Sequence, residues 1–134
     1  MISIVDDDPL VRDATVDLLD SLGYLALAFG SAEEFLETGQ VETTLCLITD
    51  QQLPGLDGLG LQNTLAANGS HVAVIFITAF PDANVRERAL KAGATAFLAK
   101  PFQEGDLVRA LQIALVRQQA NRPRLPQRTT EREP

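Results

Sequence analysis

The sequence feature that most constrains the fold is an unbroken run of six apolar residues, Val-Ala-Val-Ile-Phe-Ile, at positions 72–77. A strand that is apolar on both faces must be covered on both faces, which is typical of parallel sheets flanked by helices. A second predicted strand, residues 44–49, leads directly into Asp50 and then a Leu-Pro-Gly turn. These two segments predict buried central strands, the second of which ends on a carboxylate.

Strand patterns alternate with helical patterns along the whole chain. The predicted strands are residues 2–5, 24–29, 44–49, 72–77 and 95–99. The predicted helices are residues 9–22, 32–38, 58–68, 82–92 and 104–119. Five β-α units with short connections predict an α/β domain with one parallel sheet and helices on both of its faces.

Local signals support these helices. Asp8 before Pro9 predicts an N-cap and the first helical residue. Ser31 and Glu34 predict a capping box for the second helix, and Asp57 predicts an N-cap for the third. The first helix is expected to face the core with an apolar stripe, which consists of Val11, Ala14, Leu18 and Leu22.

Composition excludes several classes of protein. The chain has 134 residues, 46% of them hydrophobic, which suits one domain with its own core. Its net charge is -7, and because residues 118–134 carry four Arg and two Glu, the remaining 117 residues carry -9. This charge argues against direct binding to nucleic acid. The single cysteine, Cys46, excludes a disulfide framework and is expected to be buried and inert.

The chain is also expected to have no membrane partner. No apolar stretch reaches the length needed to span a bilayer, and residues 1–30 lack the basic start and cleavage site of a signal peptide. These features predict a cytoplasmic protein.

Polar residues stand where the predicted strands end. Asp6 and Asp7 follow the first strand, Asp50 the third, Thr78 the fourth and Lys100 the fifth. In a parallel sheet these ends share one edge, called the rim below. Crowded carboxylates raise one another's pKa unless a cation lies among them, and oxygen ligands without His or Cys suit Mg²⁺. Taken singly, each residue is ordinary, but together they predict phosphoryl transfer with Asp50 as the nucleophile.

Five motifs in order carry a resemblance to a known family. They are Val5-Asp6-Asp7-Asp8, then Asp50-Gln51-Gln52-Leu53-Pro54-Gly55-Leu56-Asp57-Gly58, then Thr78-Ala79, Lys91-Ala92-Gly93-Ala94 and Lys100-Pro101-Phe102. Over residues 1–118 the chain resembles the receiver domain of two-component response regulators. The resemblance implies a flavodoxin-like, doubly wound, five-stranded parallel sheet of order 2-1-3-4-5 flanked by five helices.

The resemblance also implies a role for each matching residue. Asp50 is expected to be the phosphoacceptor. Mg²⁺, with Mn²⁺ as an alternative, is expected to be held by Asp7 directly, by Asp6 largely through water, by Asp50 and by the Gln52 backbone carbonyl. Catalytic roles are implied for Thr78 and Lys100, which would contact the phosphoryl group. Phe97 is implied as the switch aromatic, and the bond before Pro101 is expected to be cis.

Departures from the family pattern are small. Leu53 stands where Met is more usual, at nearly the same volume. Gln51 and Gln52 are expected to be polar fillers, apart from the Gln52 carbonyl. Phe97 in place of Tyr removes a hydroxyl from the switch aromatic.

The resemblance implies a phosphorylation-activated switch and not an enzyme acting on external substrates. Its partner would be a sensor histidine kinase. The face built from the fourth helix, fifth strand and fifth helix, about residues 82–110, is expected to mediate homodimerisation, with Val85, Leu90 and the residues around Phe102 as apolar candidates. Residues 119–134 are expected to form a linker or disordered tail that leads to a missing transcription-regulating output domain, through which alone the protein would contact DNA.

Three alternatives stay open at this point. The first alternative is a stand-alone receiver that acts as a phosphate sink or binding module. A degenerate receiver that works purely by binding conflicts with the intact acidic cluster, Thr78 and Lys100. A Mg²⁺-dependent phosphatase with an Asp nucleophile commonly needs a second acid two residues further on, where this chain has Gln52.

Overall fold

A computed structural model describes residues 1–38 and 40–121 of the chain. In this part of the chain the strands are β1 (Ile2–Val5), β2 (Ala26–Phe29), β3 (Cys46–Asp50), β4 (Ala73–Thr78) and β5 (Ala96–Ala99). The helices are α1 (Pro9–Ser21), α2 (Ala32–Glu37), α3 (Gly58–Ala67), α4 (Ala83–Lys91) and α5 (Glu104–Asn121), with a 3₁₀ helix at Gln40–Thr43.

The five strands form one parallel sheet in the order β2-β1-β3-β4-β5. This is the predicted fold, and it is confirmed. The register pairs Val5 with Thr49, Asp50 with Ile77, and Thr78 with Ala99. The last residues of β1, β3, β4 and β5 therefore lie side by side along one rim.

The sheet is covered on both faces, as the apolar run in β4 predicts. All residues of β3 and β4 are buried. One face packs Leu47, Val74 and Phe76 in a cluster that includes residues of α2, α3 and α4. The opposite face packs Ile48 and Ile75 with residues of α1 and α5. The central strands are thus a rigid support for the residues at their ends.

The predicted helix caps are present. The Asp8 side chain accepts a hydrogen bond from the Leu10 N–H at 3.0 Å, and Pro9 is the first residue of α1. Ser31 Oγ accepts from the Glu34 N–H at 3.0 Å. Glu34 Oε1 in turn accepts from the N–H of Gly30, one residue before the cap, at 2.8 Å. These contacts satisfy backbone donors that a helix start leaves unpaired.

The predicted apolar stripe of α1 is wrong. The buried residues of this helix are Thr15 and Leu19, whereas Ala14 and Leu22 are exposed and Val11 and Leu18 are half-buried. Thr15 can be buried because its hydroxyl donates to the Val11 carbonyl at 2.8 Å, so no polar group is left unpaired. Val11, Ala14 and Leu18 of the expected stripe line an open groove beside Pro101 and Phe102, and of these Leu18 also packs against the core.

Element bounds differ from the predictions by a few residues. β2 begins at Ala26 and not at residue 24, and α5 continues to Asn121. The predicted linker or tail lies outside the described residues from position 122 onward. None of the described helices has the length and apolar character needed to cross a bilayer.

Candidate functional site

The structure brings the predicted acidic residues together at the rim. Asp6 and Asp7 follow β1, and Asp50 is the last residue of β3, the strand paired with β1. Carboxylate oxygens of these three residues lie within 4.8 Å of one another. Asp6 and Asp50 are buried, and Asp7 is exposed. The site is therefore an acidic pocket that opens to solvent on the Asp7 side.

Lys100 reaches this pocket from the end of β5, two strands away from Asp50. Its ammonium donates to Asp6 Oδ2 at 2.9 Å and to Asp50 Oδ2 at 3.0 Å. The side chain of Lys100 is 18% exposed, compared with 0% for Asp6 and 9% for Asp50. One largely buried cation thus bridges two buried carboxylates, and with Asp7 the three carboxylates outnumber it.

Burial and mutual charge shift the protonation of these groups. Burial raises the pKa of Asp6, and the Asp50 charge adds to this, although the Asp8 N–H and Lys100 oppose it. Burial alone would lower the pKa of Lys100, but its hydrogen bonds to Asp6 and Asp50 outweigh that effect and raise the pKa. The ammonium therefore stays charged at neutral pH, whereas burial opposes ionisation of the Asp6 carboxyl group.

Main-chain contacts fix the two buried carboxylates. Asp6 Oδ1 accepts from the Asp8 N–H at 2.9 Å, and Asp50 Oδ1 accepts from the Gln52 N–H at 3.1 Å. Arg12 of α1 donates from Nη1 to the Asp6 carbonyl at 2.7 Å. Sequence reasoning missed Arg12, because a polar residue in the first turns of a helix gives no sign that it reaches back to the preceding loop.

The donor set fits a hard divalent cation. It consists of carboxylate oxygens, two of them buried, with an exposed third carboxylate that leaves a path to solvent. The main chain of Gln52 lies beside the Asp50 carboxylate, to which its N–H donates. Asp6, Asp7 and Asp50 are thus placed to hold a hard divalent cation such as Mg²⁺.

Thr78 ends β4 at the rim, and Phe97 lies on β5, two residues before the end of that strand. Thr78 is fully buried at the rim, follows the residue that is paired with Asp50, and accepts at Oγ1 from the Phe80 N–H at 3.1 Å. Phe97 is half-buried, and its ring centroid is 5.8 Å from that of Phe76 at an interplanar angle of 31°. The Lys100–Pro101 peptide bond is cis.

Gln51 is not the polar filler that the sequence predicts. Gln51 is 7% exposed. Its side-chain oxygen accepts a hydrogen bond of 2.8 Å from the N–H of Leu59, at the start of α3. Its side-chain nitrogen donates to Asp57 at 3.2 Å. The alternation of polar and apolar residues gives no signal for this role, since a buried glutamine is recognised only by its partners.

This sheet order and acidic rim are matched by a known family. A family model described as "Response regulator receiver domain" matches residues 2–112. The chain belongs to this family.

Particular relatives are bacterial regulators. The chain is 39% identical over 122 residues to Nodulation protein W of Bradyrhizobium diazoefficiens, covering 91% of this chain and 54% of that protein. It is 37% identical over 116 residues to Transcriptional regulatory protein FixJ of Azorhizobium caulinodans, covering 87% and 55%. The chain thus spans about half the length of these relatives.

Solved structures agree with the fold. A response regulator receiver domain protein from Clostridium thermocellum superposes with a TM-score of 0.83 at 29% identity, covering 89% of this chain and 96% of the other. The structure of response regulator StyR gives a TM-score of 0.79 at 41% identity, covering 89% and 62%.

Proposed function

We propose that the domain is a signalling switch that accepts a phosphoryl group on Asp50 from a histidine of a sensor kinase. The observation that carries the proposal is the meeting of Asp6, Asp7 and Asp50 oxygens within 4.8 Å, with Lys100 bridging two of them. In the reaction an Asp50 carboxylate oxygen attacks phosphorus, the phosphorus–nitrogen bond of the phosphohistidine breaks, and the histidine nitrogen keeps the electron pair. The product is an acyl phosphate on Asp50.

The side chains around Asp50 have separate tasks in this scheme. Asp6, Asp7, Asp50 and the Gln52 carbonyl would hold Mg²⁺, which offsets charge on the transferring group when it is bound. The Lys100 ammonium would keep a positive charge beside Asp50 and contact a phosphoryl oxygen. Thr78 would give up its contact with the Phe80 N–H and donate its hydroxyl to the phosphoryl group.

The groove beside the pocket supports a kinase as the phosphoryl donor. It has a volume of about 630 Å³ and is lined by Leu10, Ala14 and Leu18 of α1 together with Pro101, Phe102 and Lys100. Leu10 is 79% exposed. An exposed apolar groove next to a reactive carboxylate suits a partner helix that presents its histidine to the rim. We propose that this exchange takes place in the cytoplasm, where a kinase has access to ATP.

The loosely held helix α4 supports an output through the α4-β5-α5 face. Among the described residues of α4, Ala89 alone is buried. Val85 and Leu90 pack partly on the core, as does Phe102 before α5. A phosphoryl group adds roughly -2 of charge beside Thr78, and inward rotation of Phe97 would accompany the movement of that residue. The changed face would then form a homodimer.

The relatives support a transcription-regulating output. The chain matches about half of FixJ from Azorhizobium caulinodans, which is described as a transcriptional regulatory protein. We infer that this receiver controls an output domain that binds DNA. The length of the native reading frame distinguishes this proposal from a stand-alone receiver, whose reading frame would end near residue 134.

Acyl-phosphate formation tests the proposal. The protein is incubated with acetyl phosphate and Mg²⁺, and its intact mass is measured. We expect one added phosphoryl group that hydroxylamine removes, and none in Asp50→Asn or in the presence of excess EDTA. Asp20→Asn is the matched control, because this acid is exposed near the end of α1, away from the rim. Labelling of Asp50→Asn to the wild-type level would refute the assignment, and steady hydrolysis of an external phosphate ester would establish the phosphatase instead.

Dimerisation tests the output face. Sedimentation velocity is measured with and without acetyl phosphate. We expect a shift from monomer to dimer in the wild type and no shift in Asp50→Asn. An unchanged sedimentation coefficient in fully phosphorylated protein would refute the homodimer.

A further inference from the structure

Gln51, the residue directly after Asp50, links the rim to the start of α3 through both its main chain and its side chain. Its N–H donates to the Ile77 carbonyl of β4 at 3.2 Å, and its carbonyl accepts from the Gly58 N–H at 3.1 Å. Residues 52–57 therefore form a loop whose two ends are joined at Gln51.

The side-chain amide of Gln51 completes this junction. Its Oε1 accepts from the Leu59 N–H at 2.8 Å, and its Nε2 donates to Asp57 Oδ2 at 3.2 Å. The other oxygen of Asp57 accepts from the Gly60 N–H at 2.8 Å. Gln51 and Asp57 thus cap α3 jointly, and each satisfies an N–H that the first turn of the helix leaves unpaired.

The first turn of α3 packs directly on this junction. A Cβ atom at Gly58 would lie 2.8 Å from the Asp50 carbonyl oxygen and 2.9 Å from Gln51 Oε1. Only a residue without a side chain permits this approach. The loop is also held at its middle, where the Leu56 N–H donates to Glu33 Oε2 at 2.9 Å and lowers the pKa of Glu33.

We infer that Gln51 is a positioning residue for the metal site: its buried amide fixes the loop after Asp50 that carries the Gln52 carbonyl, the ligand proposed above. This inference rests on the proposed function. An apolar side chain at position 51 would leave the Leu59 N–H without its partner and Asp57 with one contact fewer. The loop would then be anchored at that end by main-chain bonds alone, and the Gln52 carbonyl would be less often in place for the ion.

The test uses Gln51→Met, which keeps the side-chain volume and removes both amide bonds. In the metal-free protein we expect hydrogen exchange at the Leu59 amide to become roughly fivefold faster. By titration calorimetry we expect Mg²⁺ to bind about tenfold more weakly, the effect typical of residues that support metal ligands. Phosphorylation by acetyl phosphate at saturating Mg²⁺ should stay close to the wild-type rate, since only the occupancy of the site has changed.

A reversed pair supplies the rescue. Gln51→Glu retains an acceptor for the Leu59 N–H but places a carboxylate against Asp57, so it should weaken Mg²⁺ binding. Adding Asp57→Asn gives the new carboxylate an amide donor. The bond between residues 51 and 57 then returns with donor and acceptor exchanged, while the Leu59 N–H keeps its acceptor. The double variant should therefore bind Mg²⁺ more tightly than Gln51→Glu alone.

The matched control is Gln62→Met. Gln62 is a second buried glutamine, 5% exposed, and it donates to the Ala89 carbonyl of α4 at 3.2 Å, away from the loop. It should change stability but leave Mg²⁺ affinity within about twofold of the wild-type value, because it touches none of the proposed ligands.

Three results would overturn the inference. The first is unchanged Mg²⁺ affinity in Gln51→Met although the Leu59 amide exchanges faster. The second is an equal loss of affinity in Gln62→Met, which would indicate general destabilisation. The third is failure of the reversed pair to recover affinity. A wild-type protein that binds no Mg²⁺ would instead refute the proposed function itself, which keeps the two failures distinguishable.

Discussion

Replacing Lys100 by Met removes the cation that bridges Asp6 and Asp50 while keeping most of the apolar stem. Lys100 contacts the two carboxylates at 2.9 and 3.0 Å, and all three side chains are largely buried. The variant leaves two carboxylates facing each other without a positive charge between them. We expect the metal-free protein to be markedly less stable at pH 7.5.

The magnitude follows from the geometry. Two unit charges 3 Å apart attract by about 5 kcal/mol at an effective dielectric constant near 20, and part of this is offset by the cost of burying the ammonium. Removing one partner from a buried pair costs about 3–5 kcal/mol. Because Lys100 is 18% exposed, we take the lower end of this range. The expected loss is about 3 kcal/mol, or a fall in Tm of about 10 °C.

The loss should depend on pH with a definite sign. The pKa of Lys100 is raised in the folded protein, so its stabilisation is fully present at neutral pH and is lost only as pH rises through that pKa. In the variant the pKa of Asp6, which is already raised, should rise further. Between the ordinary pKa of an aspartate and the raised pKa of Asp6 in the variant, the folded protein then holds a proton that the unfolded chain releases. Each pH unit by which the pH falls within this range recovers about 1.4 kcal/mol of stability.

Urea unfolding followed by circular dichroism in EDTA measures the effect, since the chain has no Trp. Lys91→Met is the control, because Lys91 pairs with Glu87 at 3.5 Å on an exposed helix face and should contribute less than about 1 kcal/mol. Saturating Mg²⁺ should restore much of the lost stability by supplying positive charge. Equal stability of the Lys100 variant and the wild type in EDTA at pH 7.5, or a loss independent of pH, would refute this reasoning.

Two further substitutions test the acidic pocket and the start of α3. Asp6→Asn should stabilise the metal-free protein at pH 7, because the raised pKa of Asp6 means that its ionised form costs stability as pH rises above the ordinary value of 3.8. The gain should vanish near pH 3.5, and a destabilised variant at pH 7 would contradict it. Gly58→Ala should lower the free energy of unfolding by about 2 kcal/mol or more, since its Cβ would lie 2.8 Å from the Asp50 carbonyl oxygen. A Cβ at Gly105 would have no neighbouring atom within 4 Å, so Gly105→Ala should be neutral or stabilising by up to about 1 kcal/mol. Urea unfolding measures the stability of all three variants. Equal effects of the two Ala substitutions would contradict the proposed crowding at Gly58.

The fold was predictable because several local signals agree. The apolar run of β4 requires cover on both faces, and the caps at Asp8, Ser31 and Asp57 begin helices where the structure has them. The alternation of strands and helices then leaves few topologies open. The strand order itself came from the family resemblance, since no spacing along the chain distinguishes a sheet of order 2-1-3-4-5 from other parallel orders.

The site was predictable in its residues but not in its contacts. Parallel strands bring their carboxyl ends to one rim, so Asp50, Thr78 and Lys100 follow from the strand assignments. The buried amide of Gln51 and the reach of Arg12 to the Asp6 carbonyl depend on tertiary partners that periodicity does not encode. The stripe of α1 failed for a related reason, because Thr15 satisfies its hydroxyl within the helix and can take a core position.

The sparse packing of α4 has an evolutionary consequence. Ala89 is the one buried residue among those described in α4. Substitutions at exposed positions of this helix, such as Arg86 and Arg88, therefore remove little contact with the core. The face that we propose for the output can therefore diverge rapidly in descendants of this gene. The acidic rim has no such freedom, because Asp6 and Asp7 follow, and Asp50 ends, strands whose residues are all buried.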